Sequence, residues 1–590
     1  MPDVTVRLER LRSSMRSHGV DAWLATTGDA HLSEYLSDRW RTRAWLSGFN
    51  GSAGRFLVTN TEAGLWVDSR YHMRADTETA GTPIAVFKEG KPGTTDLVDW
   101  LIRALPAGGS VGFDPEAVSA AARQALDARL APAGLTAKPC RGLIDEVWRQ
   151  RPTDVPTAIV DHPVAFSGEA TTSKLIRLRQ RLGELGATSM LVTALDEVAW
   201  LLNLRGSDVP LNPVALAFCI VGPEDVQLFV HVDEVTPGLR AQLPSETVIR
   251  PYAEVADGLS ELPANTALLL DPAKTNVLLF EATDHVKRVL APSPLDAMKA
   301  RKNETELRCA QLAHTYDGAA VTRLLHWLSV TDLSAETELS VSEKLQAFRE
   351  HLPDYRGASF DTIVGFGPNS SVGHYKLNRE NPQPLAAESL LLIDCGAQFL
   401  TGTTDTTRTV ALGLPTAEHK RTYTTVLKSL IMLGSAHFPT GTTGQRLDAI
   451  GRYHIWANDW ECRHGIGHGV GSYLHVHEGP QRINKTNDVV FEVGHVNSCE
   501  PGVYFEGEFG VRLENVIAVA PAGAGVFGGF LRFDTLTLCP FDRDLIAMDQ
   551  LTDQETAWLD AYHQRVNDTL SPHLPADVRT WLAERTAPLD

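Results

Sequence analysis

Several features that would indicate other classes of protein are scarce or missing in this 590-residue sequence. Its 54 Lys and Arg residues are outnumbered by 73 Asp and Glu residues, which gives a formal net charge of −19. Nucleic acids and anionic membranes attract basic surfaces, so neither is expected as the main partner. No stretch approaches the roughly 20 apolar residues that span a bilayer, so we expect no transmembrane helix.

Cysteine is scarce as well, with seven residues spread along the chain and no CxxC pair. An odd number at such spacing argues against a disulfide framework and favours reduced thiols in the cytoplasm. The opening stretch MPDVTVRLERLRSSMRSHG contains no apolar run of the kind that forms a secretory signal. Its apolar residues Val6, Leu8, Leu11 and Met15 instead predict an amphipathic helix packed on its own domain.

The length predicts several domains, because one hydrophobic core seldom organises so long a chain. A composition of 43% hydrophobic and 22% charged residues is that of an ordinary globular protein. The proline-rich stretch RQRPTDVPTAIVDHPV and the segment LAPSPLDAMKARKNETEL are candidate boundaries. We therefore expect three domains, at residues 1–152, 153–298 and 299–590.

The two N-terminal segments show related patterns of strands and helices. DAWLATTGDAHLSEYL and TSMLVTALDEVAWLL each predict a strand, a polar turn and then a helix. In the second segment, Leu175, Leu178 and Leu182 lie on one face of a further predicted helix. The similarity suggests two duplicated α/β domains.

The third segment opens with two helical patterns, KNETELRCAQLAHTYDGAAVTRLLHWL and SAETELSVSEKLQAFREHL. From there to about residue 540, we expect strands and glycine-rich loops to dominate. The tail TDQETAWLDAYHQRVNDTLSPHL is again predicted to be helical.

Five residues of this third segment stand out as candidate metal ligands. They are Asp394 in LLLIDCGAQF, Asp405 in GTTDTTRT, His468 in HGIGHGVGSY, Glu500 in NSCEPGVY and Glu514 in VRLENVIAV. Four carboxylates and one imidazole are too many ligands for one small ion but suit two, and oxygen-rich sets favour hard or borderline ions such as manganese. Pairs of such ions hydrolyse amides and phosphoesters in many enzymes. If the five converge, the chain is a metal-dependent hydrolase.

The local context leaves simpler interpretations open. An antiparallel hairpin would bring Asp394 and Asp405 to one site, but both residues also suit ordinary turns. Strand alternation places Arg512 and Glu514 on one face, where a surface salt bridge is the alternative. The glycines around His468 also suit a phosphate loop, although the lysine of a P-loop is missing.

The five residues, in this order, resemble the ligand set Asp, Asp, His, Glu, Glu of the pita-bread metallopeptidase family, which includes methionine aminopeptidase, prolidase and aminopeptidase P. RAWLSGFNGSAG (43–54) and WVDSRY (66–71) resemble the first domain of the long, three-domain, cytosolic aminopeptidase P branch. VTALDEVAWLLNLRGSDVPLNPV (192–214) resembles its second domain. The resemblance implies an α+β fold, with two creatinase-like α/β domains followed by a pita-bread catalytic domain.

The resemblance also implies roles for the five ligands. Asp394 would bind one metal ion through both oxygens, and Asp405 and Glu514 would bridge the two ions. His468 and Glu500 would complete the second site. The cofactors would be two divalent ions, with Mn²⁺ expected and Co²⁺ or Zn²⁺ as alternatives. A hydroxide held between them would attack the carbonyl before proline, and Glu500 would carry a proton to the proline nitrogen.

Five further positions match site residues of the family. His374 in SVGHYK and His477 in VHEGP would contact the substrate near the scissile bond, and His464 in HGIGH would line the proline pocket. Arg512 would orient a neighbouring carboxylate or the substrate, and Arg70 in WVDSRY would contact the substrate. A lone histidine is more often structural and an isolated arginine more often a surface charge, so these roles depend on the family match.

The implied function is removal of the N-terminal residue from peptides with proline in the second position. The implied enzyme is cytoplasmic, and its branch of the family is commonly homodimeric. Prolidase, the first alternative, shares the ligands but cleaves only dipeptides and is usually shorter. The second alternative is a catalytically inactive pita-bread binding module, but such modules lose ligands and this chain has all five.

Overall fold

The computed structural model describes residues 3–589, which form two compact units. The N-terminal unit extends to His162 and resumes from Glu169 to Leu295. The C-terminal unit contains Pro163–Gly168 and the residues from Asp296 onward. Among the described residues, no helix combines the length and the apolar character needed to cross a bilayer.

The first half of the N-terminal unit is a six-stranded sheet with helices on both faces. Its elements are α1 (Val4–Ser17), β1 (Ala22–Ala25), α2 (Thr42–Ser47), β2 (Arg55–Thr59), β3 (Ala63–Val67), α3 (His72–Glu78), β4 (Ala85–Lys88), α4 (Leu97–Ala104), β5 (Ser110–Phe113), α5 (Ala120–Leu130), β6 (Thr136–Pro139) and α6 (Leu143–Val147). The strand order is β4-β3-β2-β1-β5-β6, with β1 antiparallel to β2 and parallel to β5. Trp23 and Leu24 enter cores on opposite faces, so the central strand is apolar throughout.

The second half of the same unit contains an equivalent sheet. The next elements along the chain are β7 (Val160–Asp161), α7 (Val164–Ser167, in the C-terminal unit), α8 (Thr171–Glu184), β8 (Ser189–Val192), α9 (Leu195–Leu201), β9 (Leu204–Arg205), β10 (Phe218–Val221), β11 (Val226–Val230), α10 (Pro237–Gln242), β12 (Thr247–Pro251), α11 (Val255–Ser260), β13 (Ala267–Leu270), α12 (Val277–Glu281) and β14 (Lys287–Leu290). The order β12-β11-β10-β8-β13-β14 repeats the first sheet, including which neighbours are parallel and which antiparallel. The shared topology supports the predicted duplication.

Two local predictions in the first half are wrong. Val6 is 38% exposed, whereas Leu8, Leu11 and Met15 are buried as expected, so the apolar face of α1 is narrower than predicted. The segment AHLSEYL does not form a helix, because the Asp29 carboxylate accepts hydrogen bonds from the backbone N–H groups of residues 31 and 33, both at 2.9 Å. Such a turn competes with helical hydrogen bonding.

The C-terminal unit combines long helices with several small sheets. Its elements from residue 294 are α13 (Pro294–Ala300), α14 (Glu304–Val330), α15 (Glu338–Arg349), β15 (Tyr355–Ala358), β16 (Ile363–Phe366), β17 (Glu388–Cys395), β18 (Ala397–Phe399), β19 (Gly402–Thr403), β20 (Thr406–Gly413), α16 (Ala417–Gly434), β21 (His437–Pro439), α17 (Gly444–Trp456), β22 (Gly467–Gly469), β23 (Glu478–Ile483), β24 (Val496–Cys499), β25 (Gly502–Phe505), β26 (Phe509–Arg512), β27 (Asn515–Gly525), β28 (Gly528–Thr535), α18 (Asp553–Leu570) and α19 (Ala576–Arg585). The two sheets that carry the site follow the orders β16-β17-β20 and β21-β28-β27-β24-β22-β23.

The helices α16 and α17 lie in the region that was expected to consist mainly of strands and glycine-rich loops, and neither was predicted. α16 contains a run of threonines with low helix propensity. A capping box at Thr416 satisfies its first backbone N–H groups, and Tyr423, Val426 and Leu430 pack into the largest core of the unit. Tertiary packing therefore stabilises α16 as a helix, although its intrinsic helix propensity is low.

Candidate metal centre

The five predicted ligands lie at the ends of strands or in the short connections between them. Asp394 is the penultimate residue of β17, and Asp405 lies between β19 and β20. His468 is the central residue of β22, and Glu500 directly follows β24. Glu514 connects β26 to β27. These strands belong to four sheets of one unit, so the fold brings residues that are far apart in sequence to one place.

Three of the five already form a cluster with ligand-like geometry. Asp405, His468 and Glu514 each present a donor atom, and these atoms lie within 4.8 Å of one another. Nε2 of His468 is 3.4 Å from Oδ2 of Asp405 and 3.5 Å from Oε1 of Glu500. The structure therefore brings Glu500 to the same imidazole.

Two contacts position Asp394 at the site. They are the pairing of β17 with β20 and a hydrogen bond from Arg512. The antiparallel register of β17 and β20 places Asp394 opposite Thr407. Arg512 donates through Nη2 to Oδ2 of Asp394 at 2.5 Å, while Oδ1 is buried and has no hydrogen-bond partner among the described residues. Thr407 donates to Glu514 at 2.8 Å and accepts from Nε of Arg512 at 3.4 Å. The hairpin prediction thus agrees with the structure.

The alternative of a surface salt bridge between Arg512 and Glu514 does not apply. Both side chains are buried, and the carboxylate that pairs with Arg512 is Asp394. Alternation along one strand also fails as an explanation, because Glu514 lies outside β26, which ends at Arg512.

The electrostatics of the cluster favour a bound cation. Burial raises the pKa of Asp405 well above its ordinary value, and the charges of Asp394 and Glu500 raise it further. Burial and then the charge of Asp405 raise the pKa of Glu514 in the same way. These carboxylates therefore repel one another in a medium that hydrates them poorly. Divalent ions would relieve both effects, and the oxygen-rich set with one nitrogen suits a hard or borderline metal.

Hydrogen bonds behind the ligands fix their orientation. Nδ1 of His468 lies 2.9 Å from the carbonyl oxygen of Gly469. Donation to that oxygen leaves the Nε2 lone pair directed at the carboxylates, as is usual for a metal-binding histidine. Ser498 donates to Oε1 of Glu500 at 3.2 Å and accepts from the backbone N–H of His468 at 3.1 Å. The ligand geometry is thus largely formed by the chain itself.

The three flanking histidines also lie in the C-terminal unit. The ring of His477 packs against that of His468 with centroids 4.3 Å apart. His464 places Nδ1 3.9 Å from Oε2 of Glu500, and its ring is largely shielded from solvent. His374 lies in a turn directly after Gly373, whose carbonyl oxygen accepts a hydrogen bond from Arg512 at 3.2 Å.

Charges near Glu500 and His464 act in opposite directions on the two groups. Burial works against ionisation of Glu500, but His468 and His464 outweigh it and lower the pKa of that carboxyl. Burial also works against protonation of His464, but Cys462, Tyr504 and Glu500 together raise its pKa. The neighbouring charges therefore favour the ionised form of Glu500 and the protonated form of His464.

Tyr504 is a site residue that the sequence reasoning missed. Its hydroxyl lies 2.8 Å from Nε2 of His464 and accepts a hydrogen bond from Nη1 of Arg512 at 2.7 Å. The signal was present in NSCEPGVY, because the period of two in a strand places Tyr504 on the side of Gly502 and Glu500.

Arg70 lies in the N-terminal unit, in the turn that follows β3. Its guanidinium forms a two-bonded ion pair with Asp68, at 3.0 Å and 2.8 Å, and lies 5.3 Å from the ring centroid of Tyr71. These contacts hold the side chain in one orientation, and its contact with a substrate stays a prediction.

Comparison with known proteins covers the whole chain. Residues 308–521 match the metallopeptidase family M24, and residues 529–589 match the C-terminal region of that peptidase. Residues 7–148 and 150–306 each match a creatinase/prolidase N-terminal domain.

Curated relatives match nearly the whole of this chain. The chain is 36% identical to a probable Xaa-Pro aminopeptidase P of Laccaria bicolor over 605 residues, covering 100% of this chain and 94% of the relative. It is 36% identical to aminopeptidase P2 of Arabidopsis thaliana, covering 97% of this chain and 86% of the relative.

Solved structures agree with this relationship. An X-prolyl aminopeptidase of Caenorhabditis elegans, described as a cytosolic enzyme with a dinuclear active site, superposes with a TM-score of 0.95 at 34% identity, covering 100% of both chains. A prolidase of Pyrococcus horikoshii superposes with a TM-score of 0.51 at 21% identity, covering 63% of this chain and 100% of its own, which shows a shared fold.

Proposed function

This chain belongs to metallopeptidase family M24, and from that premise we propose that it is an Xaa-Pro aminopeptidase, a hydrolase that removes the N-terminal residue ahead of a penultimate proline. The observation that carries this proposal is the set of Asp405, His468 and Glu514, with both carboxylates buried and the donor atoms of all three within 4.8 Å of one another. An inactive binding module would have no need of such a set.

We propose that five residues hold two divalent metal ions: Asp394, Asp405, His468, Glu500 and Glu514. Manganese is our choice of metal, because the donors are mainly carboxylate oxygens. When bound, the two ions supply Lewis acidity and an activated water nucleophile near neutral pH. By the family pattern, Asp405 and Glu514 would each bind both ions, and the other three residues would complete the two sites.

The side chains around the ligands suit the remaining tasks of proton transfer and orientation. Glu500, whose pKa is lowered by His468 and His464, would accept the proton that the attacking water loses and pass it to the proline nitrogen before the C–N bond breaks. His374 and His477 are proposed to hydrogen-bond the substrate beside the scissile bond. These positions add directed polar contacts where charge develops in the transition state.

Three further residues are proposed to help define the site and the position of the substrate. His464 lines the pocket for the proline ring, held by the hydroxyl of Tyr504 at 2.8 Å. Arg512 orients Asp394, to which it donates at 2.5 Å. Arg70 is proposed as a substrate contact from the first domain.

The wider properties of the protein are proposed on the same basis. We divide the chain into domains at residues 1–152, 153–298 and 299–590, close to the matched ranges of the family domains. The related C. elegans enzyme is described as cytosolic, and we propose a cytoplasmic homodimer here. Peptides with penultimate proline would be its substrates.

One experiment tests the activity and its closest alternative. The purified protein would be incubated with Arg-Pro-Pro and with the dipeptide Arg-Pro, after chelation and again after addition of Mn²⁺. We expect no hydrolysis after chelation, recovery with Mn²⁺, and a clear preference for the tripeptide. Cleavage of the dipeptide alone would establish a prolidase, and activity that survives complete metal removal would refute the metal-dependent function.

A further inference from the structure

A buried ion pair lies behind the hairpin that carries Asp394 and Asp405. Asp317 of α14 and Arg349 of α15 are joined by two parallel hydrogen bonds, from Nε to Oδ1 at 2.7 Å and from Nη2 to Oδ2 at 3.1 Å. Both side chains are buried, with residue exposures of 2% and 1%. The pair is thus removed from solvent and neutral as a unit.

Each partner also bonds to the connection between β17 and β20. Nη1 of Arg349 donates to the carbonyl oxygen of Gly396 at 3.1 Å, and the hydroxyl of Thr404 donates to Oδ2 of Asp317 at 2.6 Å. Gly396 lies two residues after Asp394, and Thr404 directly precedes Asp405. The ion pair therefore holds both ends of the connection, each next to a candidate ligand.

The connection is closely packed around these two contacts. The backbone N–H of Ala397 donates to Oγ1 of Thr404 at 2.9 Å, which joins the two strands of the connection. A Cβ atom at Gly396 would lie only 2.2 Å from Oγ of Ser359 and from the carbonyl oxygen of Thr404. A small displacement of either strand would break several of these contacts at once.

Stability alone is a weak reason for burying such a pair. Apolar residues of similar volume often replace a buried ion pair without loss of stability, because two charges must be desolvated to form it. The carboxylates of Asp394 and Asp405, by contrast, need a restraint, since like charges in a buried site repel each other. A fixed, two-bonded pair that reaches both strands provides that restraint.

We propose that Asp317 and Arg349 are positioning residues for the metal centre, which fix the separation of Asp394 and Asp405 through Thr404 and Gly396. This inference rests on the proposed two-metal function. It assigns a role to residues that touch neither a substrate nor a candidate ligand.

The sharpest test uses the hydroxyl of Thr404. Thr404→Val keeps the shape of the side chain but removes both hydrogen bonds, whereas Thr404→Ser keeps the hydroxyl. Mn²⁺ affinity of the chelator-treated protein would be measured by calorimetry, together with the visible spectrum of the Co²⁺-loaded protein and the melting temperature in chelator. We expect Thr404→Val to weaken Mn²⁺ binding by about tenfold to a hundredfold, the range for groups that orient metal ligands. Thr404→Ser is expected to bind like the parent.

Thr322→Val is the matched control. Thr322 is a buried residue of α14 whose hydroxyl has no hydrogen-bond partner among the described residues. The same substitution there should leave Mn²⁺ affinity and the Co²⁺ spectrum unchanged. Parent-like Mn²⁺ binding by Thr404→Val, or equal loss in the Val and Ser variants, would overturn the proposal.

A second variant keeps the test decisive if Thr404→Val does not fold. Arg349→Lys retains a positive charge beside Asp317 but lacks the planar fork that also reaches Gly396. It should weaken Mn²⁺ binding in the same direction, and parent-like affinity would refute the positioning role. Failure of the proposed function is distinguishable, because the parent protein itself would then bind no Mn²⁺ and leave Arg-Pro-Pro intact.

Discussion

Two buried charge clusters in the C-terminal unit differ in how their charges are balanced. In the first, Glu478 accepts from Nζ of Lys299 at 2.7 Å through one oxygen and from Lys302 through the other. All three side chains are buried, and the chain supplies the cations itself. In the second, Asp405 and Glu514 lie together. Burial raises the pKa of both, and the charges of Asp394 and Glu500 raise it further.

The difference separates a structural cluster from a binding site. A carboxylate that is buried beside its own lysines has no use for an external ion. Carboxylates that are buried beside other carboxylates keep an unfavourable free energy until a cation arrives. Burial of a charged group alone therefore does not distinguish a structural cluster from a binding site. The sign of the neighbouring charges does, because like charges indicate a site for an external ion.

The largest effect is expected from Glu514→Gln. Loss of a bridging carboxylate should lower Arg-Pro-Pro hydrolysis at least 1,000-fold, about 4 kcal/mol of activation free energy. In chelator, however, the variant should melt at the parent temperature or higher, because repulsion is removed and the amide oxygen still accepts from Thr407. Rate assays and melting curves in chelator check both parts.

Glu492→Gln provides the control for that variant. Glu492 pairs with Arg301 at 2.8 Å, and both side chains are about half exposed, so activity and melting temperature should stay near the parent values. A Glu514→Gln protein that melts well below the parent in chelator would break the distinction between the two clusters.

Glu478→Gln should destabilise the folded protein, in contrast to the unchanged or higher melting temperature expected for Glu514→Gln in chelator. The substitution removes the carboxylate charge that both Lys299 and Lys302 contact, and breaking a buried ion pair by removing one partner costs about 3–5 kcal/mol of unfolding free energy. The loss should be of similar size with chelator and with Mn²⁺, as measured by denaturant titration. Unchanged stability would show that the lysines find other partners, and the cluster would no longer count as self-balanced.

The smallest effect concerns pH. Because the folded pKa of Asp405 and Glu514 is raised, their favourable contribution to stability is present below the ordinary carboxylate pKa and is lost as pH rises through the folded value. Bound metal compensates the ionised carboxylates. The melting temperature would be measured in chelator and with Mn²⁺ at each pH. We expect the value in chelator to fall further below the value with Mn²⁺ as pH rises from about 5 to about 8.

Buried histidines make the folded protein less stable as pH falls, which is opposite to the trend of the carboxylates. The melting temperatures in chelator and with Mn²⁺ are therefore compared at the same pH. Burial lowers the pKa of His563 to about 3 and that of His495 to about 4. Both are neutral when folded, so their contribution is lost as pH falls below the ordinary histidine pKa, with or without metal. A gap between the chelator and Mn²⁺ curves that is independent of pH would contradict the assignment of raised carboxylate pKa values.

The sequence was most informative where a pattern was repeated over several turns or strands. The helices α14, α15 and α18 were predicted because their apolar periodicity is long and their ends carry capping residues. The helix α16 was missed because its threonines lower helix propensity and its stability comes from packing. The segment after Asp29 was mistaken for a helix because a single side-chain turn outweighed its composition.

The candidate ligands were identifiable as a set, but their partners were not. Asp394, Asp405 and His468 each suit simpler roles when taken alone, and they stand out only through their order together with Glu500 and Glu514. The hydroxyl of Tyr504 between His464 and Arg512 depends on the packing of β25 against β26. The contacts of Asp317 with Thr404 depend on where a helix meets a hairpin 87 residues away in sequence.

The sequence by itself determined the ligand types, the family and hence the reaction, because chemistry is carried by residue identity and order. The tertiary structure decided which carboxylates share one buried space, which of them are balanced by a cation of the chain, and which residues hold the ligands apart. Those properties depend on distance and burial, and both arise only when β17, β20, β22, β24 and β26 are brought together by folding.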